Sequence, residues 1–267
     1  MTRITAILAA AMWASLAGCA GAPPAASPST RAELAPTGAL RVAVFTGNPV
    51  IGSRDKASGR VTGTTATLGR ALAAQAGVPA DIREYTAVAK LMDDAKTGAW
   101  DVAVVAVDPA RRNVIDYAPP HIVVDLTYLV APGAPIASAA DADRAGVRIA
   151  AARGAATTLF LERTLKNATV VTAENEPAAF ALLREGKTQA YAQNRFLLLG
   201  LADSLPGARV VDDRFSVAEL ALALPKGRPA ALGYVSAFVE SAKRSGTVAR
   251  AIGDAGLRGV AVAPAAR

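Results

Sequence analysis

One cysteine, one histidine and 5% aromatics in 267 residues remove several classes of chemistry at the outset. Cys19 alone cannot close a disulfide within the chain, and one Cys plus His121 cannot supply ligands at zinc spacing. The scattered Asp and Glu form no EF-hand loop, so neither a metal nor a cofactor is expected. Motifs of the GxSxG, Walker and GxGxxG types are missing, which leaves no signal for a serine hydrolase, a nucleoside triphosphatase or a dinucleotide enzyme. Lys and Arg number 29 against 22 Asp and Glu, a formal charge of +7, yet the basic residues stand singly or in pairs without interleaved aromatics. Nucleic acid is therefore not an expected partner. An anionic solute or membrane surface suits the modest excess better.

What is present begins with an export signal. Arg3 supplies the positive start, Ala6 to Leu16 form an apolar stretch too short to span a membrane, and "LAGC" follows. Small residues before Cys19 match the lipobox of bacterial lipoproteins, in which cleavage before the cysteine leaves it to be lipidated. Residues 1–18 are then the signal, and Cys19 the lipid anchor of an extracytoplasmic, periplasmic protein. Ala20 rather than Asp after the cysteine suggests the outer membrane if the cell is Gram-negative. Residues 19–37, rich in Ala, Pro and Ser without apolar period, read as a flexible tether.

From Gly38 onward strand-like and helix-like segments alternate. Leu40 to Phe45 is a short apolar strand, followed by a helix over Ala66–Ala76 with Thr65 as its cap and Gly77 as its stop. Val88–Lys96 carries Val88, Leu91, Met92 and Ala95 on one helical face. Asp101–Val107 has too few polar positions for a half-exposed strand and is expected to be buried on both faces. A second block repeats the pattern: strand 147–151, helix 157–165, strand 169–172, helix 177–184 and strand 190–193. "VAPGAPIASAADADRAG" connects the blocks, and two helices around Phe238 and Ile252 close the chain. Such alternation predicts open, mainly parallel sheets with helices on both faces, whose ligands sit beyond the carboxyl ends of the strands. Those ends are "FTGNP", "DPARR", "ARGAATT" and "QNR".

"LRVAVF", "GTTATLGRALAAQAG", "WDVAVVAVDPARRNVIDYAPP", "GVRIAAARGAATTLFL", "EGKTQAYAQNR" and "LALPKG" stand in the order and spacing of periplasmic solute-binding proteins of the polar amino-acid type, the family 3 substrate-binding proteins of ABC transporters. The resemblance covers about residues 38–265. It implies the two-lobed type II periplasmic-binding-protein fold, α/β, with two hinge strands between lobe 1 (38–130 plus 222–267) and lobe 2 (131–221). It further implies a monomer without catalysis that closes on a small organic anion or amino-acid-like solute and serves an ABC permease.

The resemblance also assigns residues. The family's arginine five residues before the Asp of a V-D-F segment falls on Arg111, Asp116 standing in "IDY"; it clamps the ligand carboxylate, with Asp108 capping the turn and Arg112 a solvated neighbour. "GAATT" is similar to the loop that offers backbone N–H groups and a hydroxyl to the same carboxylate, which places Gly154, Ala156 and Thr157 in the site. Departures cluster at the amine end: Asn194 replaces the usual Asp, Ala106 a hydroxyl residue, and Asn48 and Thr65 stand where "TGNPV" and "GTT" depart from the family pattern. An ammonium group would find no carboxylate there, which favours a small carboxylate-bearing solute over an ordinary amino acid. His121 reads as a cleft-wall or core residue and Glu219 as surface-facing. Two alternatives remain open: a dehydratase-like enzyme on the same fold, in which a carboxylic acid or His121 reaches a leaving group beside Arg111, and a sensory or envelope-interaction lipoprotein without a transported ligand.

Overall fold

The structure is a computed structural model, described here for residues 25–257 and 260–266. The signal and Cys19 lie outside the described residues. The first segment inside them departs from expectation: α1 (Pro28–Leu34) is a helix, not tether. Ser27 caps it by accepting from the Thr30 N–H, and Pro28 opens it with the right backbone angle. Leu34 and Ala35 are buried in the main core, so seven residues of apparent linker are ordered by two apolar side chains that composition outweighed.

The first block runs β1 (Leu40–Phe45), the short pair β2 (Ser53–Arg54) and β3 (Val61–Thr62), α2 (Thr64–Ala76), β4 (Ala80–Tyr85), α3 (Val88–Lys96) and β5 (Val102–Ala106). Strands β4, β1 and β5 are parallel neighbours in that order. All five residues of β5 are buried, as its apolar run requires, whereas β4 is a half-exposed edge strand whose polar "ADIREY" gave no strand signal. Helix α2 starts at Thr64 and is capped by Gly63 rather than Thr65, Gly63 taking a positive φ of 104° that a threonine would resist.

A single 3₁₀ turn (Pro109–Arg111) then leads into β6 (Ile115–Val130), sixteen residues and hence roughly 50 Å long. After it come β7 (Arg148–Ala152), α4 (Ala156–Thr164), β8 (Thr169–Ala173), α5 (Glu176–Arg184), β9 (Ala190–Asn194), α6 (Arg195–Ala202), β10 (Arg209–Val210), β11 (Ser216–Pro225), α7 (Pro229–Arg244), α8 (Thr247–Asp254) and β12 (Val260–Val262). Strands β9, β7 and β8 form the second parallel set. Antiparallel β6 and β11 join the two sets, β6 pairing with β11 over Ile115–Leu126 and with β9 over Leu126–Val130. These two strands are the crossings between lobes.

Period-two alternation decides which side chain enters which layer. In the second lobe Tyr128, Val130, Ile149, Ala190 and Ala192 pack on one sheet face, and Leu129, Ala150 and Tyr191 on the other. The first lobe buries one larger core under α2, α7 and α8. Pro119 and Pro120 lack the N–H groups a ladder uses, and the β6–β11 register slips there: Leu220 faces Ile122 while Ala221 faces Pro120. His121 is the residue skipped. Its imidazole is fully buried with both nitrogens unpartnered, and burial lowers its pKa to about 3. It is a core residue, away from the cleft.

Candidate functional site

The carboxyl ends of β1 and β5 face α4, α5 and β9 across the cleft, and between them lies a cavity of about 50 Å³. Arg111 reaches into it from the 3₁₀ turn that Asp108 caps, Oδ1 of Asp108 accepting from the Ala110 N–H at 2.8 Å. Its Nη1 donates to the carbonyl of Ala106 at 2.8 Å and its Nη2 to the carbonyl of Gly154 in the other lobe at 2.7 Å. Nε has no partner although the residue is only 5% exposed, and among the described residues no carboxylate lies within 4.0 Å of the guanidinium. Desolvation pulls its pKa down. A buried cation held by two carbonyl dipoles, with Asp108 acting on it only from beyond ion-pair distance and itself bonded to Arg163, is incompletely compensated.

The second lobe supplies complementary groups. Helix α4 begins at Ala155 with no side-chain cap, which leaves its first N–H groups available to an acceptor. The Thr157 hydroxyl is buried and also unpartnered. Ala155, Ala156 and Thr157 line the same cavity as Arg111. Gly154, just before them, has φ +72°, a backbone conformation in which a side chain would be strained, although a Cβ there would meet Val88 and Ala89 only at ordinary contact distance. Three further bonds cross the cleft: Arg163 donates through Nη1 to Asp108 Oδ1 at 3.2 Å and through Nη2 to Asp108 Oδ2 at 2.9 Å, and Asn194 Nδ2 donates to Asn48 Oδ1 at 3.1 Å. The arrangement is a closed one.

The expected site residues thus divide into three groups. Arg111, Asn48, Ala106, Ala156, Thr157 and Asn194 line the cavity, while Gly154 and Asp108 act just outside it, through a carbonyl and a cap. Thr65 does not join them; it is buried in the first turn of α2, its hydroxyl unpartnered, apart from the cavity lining. Asp116 pairs loosely with Lys226 at 3.6 Å and not with Arg111. Asn194 caps α6 by accepting from the Leu197 N–H, and its amide bonds Asn48 and Gln193, so its polar atoms are engaged within the protein.

Glu176 went unnoticed in the sequence. It opens α5 in "ENEP", where an acid reads as a solvated first-turn residue favoured by the helix dipole. In the structure it is 5% exposed and lines the cavity, its Oε2 accepting from the Tyr191 hydroxyl at 2.6 Å. Desolvation raises its pKa. The expectation that the cleft holds no carboxylate is corrected: one is present, delivered by α5 rather than by the end of β9. Sequence could not supply this, because its exposure depends on where α5 packs.

The family described as bacterial extracellular solute-binding proteins, family 3, matches over residues 40–253. The ABC transporter glutamine-binding protein GlnH of Bacillus subtilis (strain 168) is 23% identical over 145 residues, 54% of this chain and 53% of that protein. The match therefore spans about half the length of this curated relative. Among solved structures, the ancestral amino acid-binding protein AncCDT-1, a precursor of cyclohexadienyl dehydratase, superposes with a TM-score of 0.72 at 24% identity, covering 84% of this chain and 98% of that one. AbpA of Streptococcus pneumoniae bound to L-arginine gives 0.73 at 20%, covering 83% and 96%. The L-cysteine receptor of Neisseria gonorrhoeae gives 0.73 at 21%, covering 85% and 92%. All three share the type II periplasmic-binding-protein fold with this chain.

Proposed function

Because the chain belongs to the bacterial extracellular solute-binding proteins, family 3, we propose that it is the receptor of an ABC importer, closing on one small carboxylate-bearing solute held by Arg111. The observation that carries this reading is the buried guanidinium with no carboxylate in ion-pair distance among the described residues, its Nε and the Thr157 hydroxyl unpartnered on one cavity. A ligand carboxylate completes both, and the uncapped start of α4 adds backbone donors to the same oxygens. Since Arg111 and Thr157 come from different lobes, a carboxylate bridging them stabilises the closed form over the open one, and closure needs no chemical step. Delivery to an ABC permease, action as a monomer, and tethering through a lipidated Cys19 complete the proposal. No helix among the described residues is long and apolar enough to cross a membrane.

The test is a thermal-shift screen of the domain from residue 25 onward against amino acids, dicarboxylates, aromatic acids and small aliphatic acids, with Arg111→Ala as control. A ligand-dependent rise in melting temperature that the variant loses is the expected result. A shift that survives Arg111→Ala removes the clamp from the reading.

One observation favours a second reading. Burial raises the pKa of Glu176, which moves that carboxyl toward the range of a general acid beside a carboxylate clamp and supports a dehydratase-like elimination in the same cavity. Proton NMR of the bound solute over hours distinguishes the two: the receptor returns it unchanged, whereas a lyase forms an alkene and water.

A further inference from the structure

Glu176, Phe180 and Arg184 recur at every fourth position of α5 and so share one face of that helix, the first and last roughly 12 Å apart. Leu197 and Leu201 share a face of α6 by the same spacing. These two faces line an open groove of about 310 Å³, several times the volume of the cleft cavity, with Tyr191 also in its wall, the Tyr191 ring 6.3 Å from that of Phe180. Apolar and aromatic walls with a few polar groups are the composition of a ligand pocket. The groove is distinct from the cleft cavity: Glu176 lines both, whereas Arg111, Thr157 and Asn194 line only the cavity. Its charges stand at its ends. Glu176, at the cleft end, is buried and accepts from the Tyr191 hydroxyl at 2.6 Å. Arg184, at the far end, is exposed, and among the described residues no carboxylate lies within 4.0 Å of its guanidinium; its neighbour Glu185 pairs with Lys187 instead, at 2.7 Å. Helix α6 reads "RFLLLGLA" yet buries only Leu198, so this part of the surface keeps apolar side chains in contact with water.

We infer that this groove is a second ligand site, outside the cleft, for an anion with an elongated apolar body of the medium-chain fatty-acid type. Its carboxylate lies on Arg184, and its chain runs along Phe180, Leu197 and Leu201 toward Tyr191. Charge complementarity fixes the direction: the cation without an ion-pair partner is at the open end, and the acid at the other end already has its donor within the protein. The length of the α5 face and the apolar wall of α6 fix the body, since a short polar solute leaves those leucines wet. The inference is independent of the Arg111 clamp. It also has a consequence for the cleft. Gly47, in the loop after β1 of the first lobe, forms part of the groove wall, so an occupant touches both lobes and favours the closed arrangement over the open one.

Calorimetric titration with octanoate, octylammonium and propionate tests this on the wild type, Arg184→Glu and Arg111→Ala. Octanoate is expected to bind the wild type roughly tenfold or more tightly than propionate, because its longer chain buries more apolar surface. It is also expected to bind more tightly than octylammonium, whose head meets Arg184 with like charge, by roughly fivefold, the weight of a partly exposed charge interaction. Arg184→Glu, a change at an exposed side chain, is expected to reverse the order of octanoate and octylammonium. Arg111→Ala is expected to keep octanoate binding unchanged, so the groove and the clamp are read separately. Octanoate binding that vanishes in Arg111→Ala and survives Arg184→Glu puts the molecule in the cleft and overturns the second site. A wild type that binds octylammonium as well as octanoate overturns the anion assignment, and one that binds no octanoate overturns the site altogether. Sedimentation provides the last outcome: a dimer that octanoate leaves intact gives the groove to a second copy of the chain and overturns the proposal too.

Discussion

Two buried clusters of this protein begin from the same residue type and end differently. In the first lobe Asp101, fully buried, receives Arg41 through Nε at 2.8 Å and Nη2 at 2.7 Å, and Arg228 through Nη1 at 2.8 Å. It accepts the Arg41 backbone N–H too, at 2.9 Å. This network stitches the start of β1, the start of β5 and the entrance of α7 together, and it is complete without any other molecule. At the cleft Arg111 is as buried but is given two carbonyls and no carboxylate. The first guanidinium pair is compensated inside the chain and is structural. In the proposed function the second is left for a solute that arrives, and the difference in compensation between the two clusters is what supports that reading.

That contrast can be broken at either end. The largest expected effect on folding is at the structural cluster: Asp101→Ala strands two arginines in a buried environment and should cost about 3–5 kcal/mol in urea unfolding. Arg111→Ala should do the opposite to the two observables. Ligand binding falls by roughly 2–5 kcal/mol in calorimetry, while the unliganded protein melts no lower than the wild type, because an uncompensated buried cation has been removed. A lower unliganded melting temperature would place Arg111 with the structural cluster instead.

His121 sharpens the comparison, being buried and uncompensated like Arg111 but unconnected to the cleft. Its folded pKa, near 3, lies below the ordinary 6.5. The folded state therefore resists protonation, and the stability this confers is full above pH 6.5 and drains away as pH falls toward 3. His121→Leu should flatten that loss, on the order of a few kcal/mol, without altering ligand affinity; a pH series of melting curves with and without ligand measures both. The smallest effect belongs to Arg163→Ala. This arginine is about half exposed, so losing its bond to Asp108 should change stability by less than about 1 kcal/mol. Its expected signature is faster ligand release in stopped-flow, since the bond spans the cleft.

Much of the scaffold was legible because it is local. "LRVAVF" became β1 residue for residue, Val88–Lys96 became α3 between the expected limits, and Gly77 ended α2 as read. Each is set by side-chain periodicity and by a glycine that alone tolerates its backbone angle. Elements whose pattern depends on distant neighbours were missed. Strand β4 is polar because it is an edge, α1 is ordered only because Leu34 finds the core near α7, and the length of β6 is hidden by two prolines that a bulge accommodates. At the site, the family resemblance pointed to Arg111 and the structure puts it on the cavity, whereas nothing in "ENEP" distinguishes a helix-start acid in water from one folded against a cavity.

The sequence by itself determined the alternation of strands and helices, the family, and the arginine placed at a strand end. Tertiary structure alone decided which charges are compensated. Gly154 lies 43 residues beyond Arg111, and Arg163 lies 55 beyond Asp108, yet each pair bonds across the cleft. Glu176, from a third position on the chain, enters the same cavity. Hydrophobic period is a property of neighbours along the chain, but desolvation and counter-charge depend on what packs around a group from every direction, and only the folded chain fixes that.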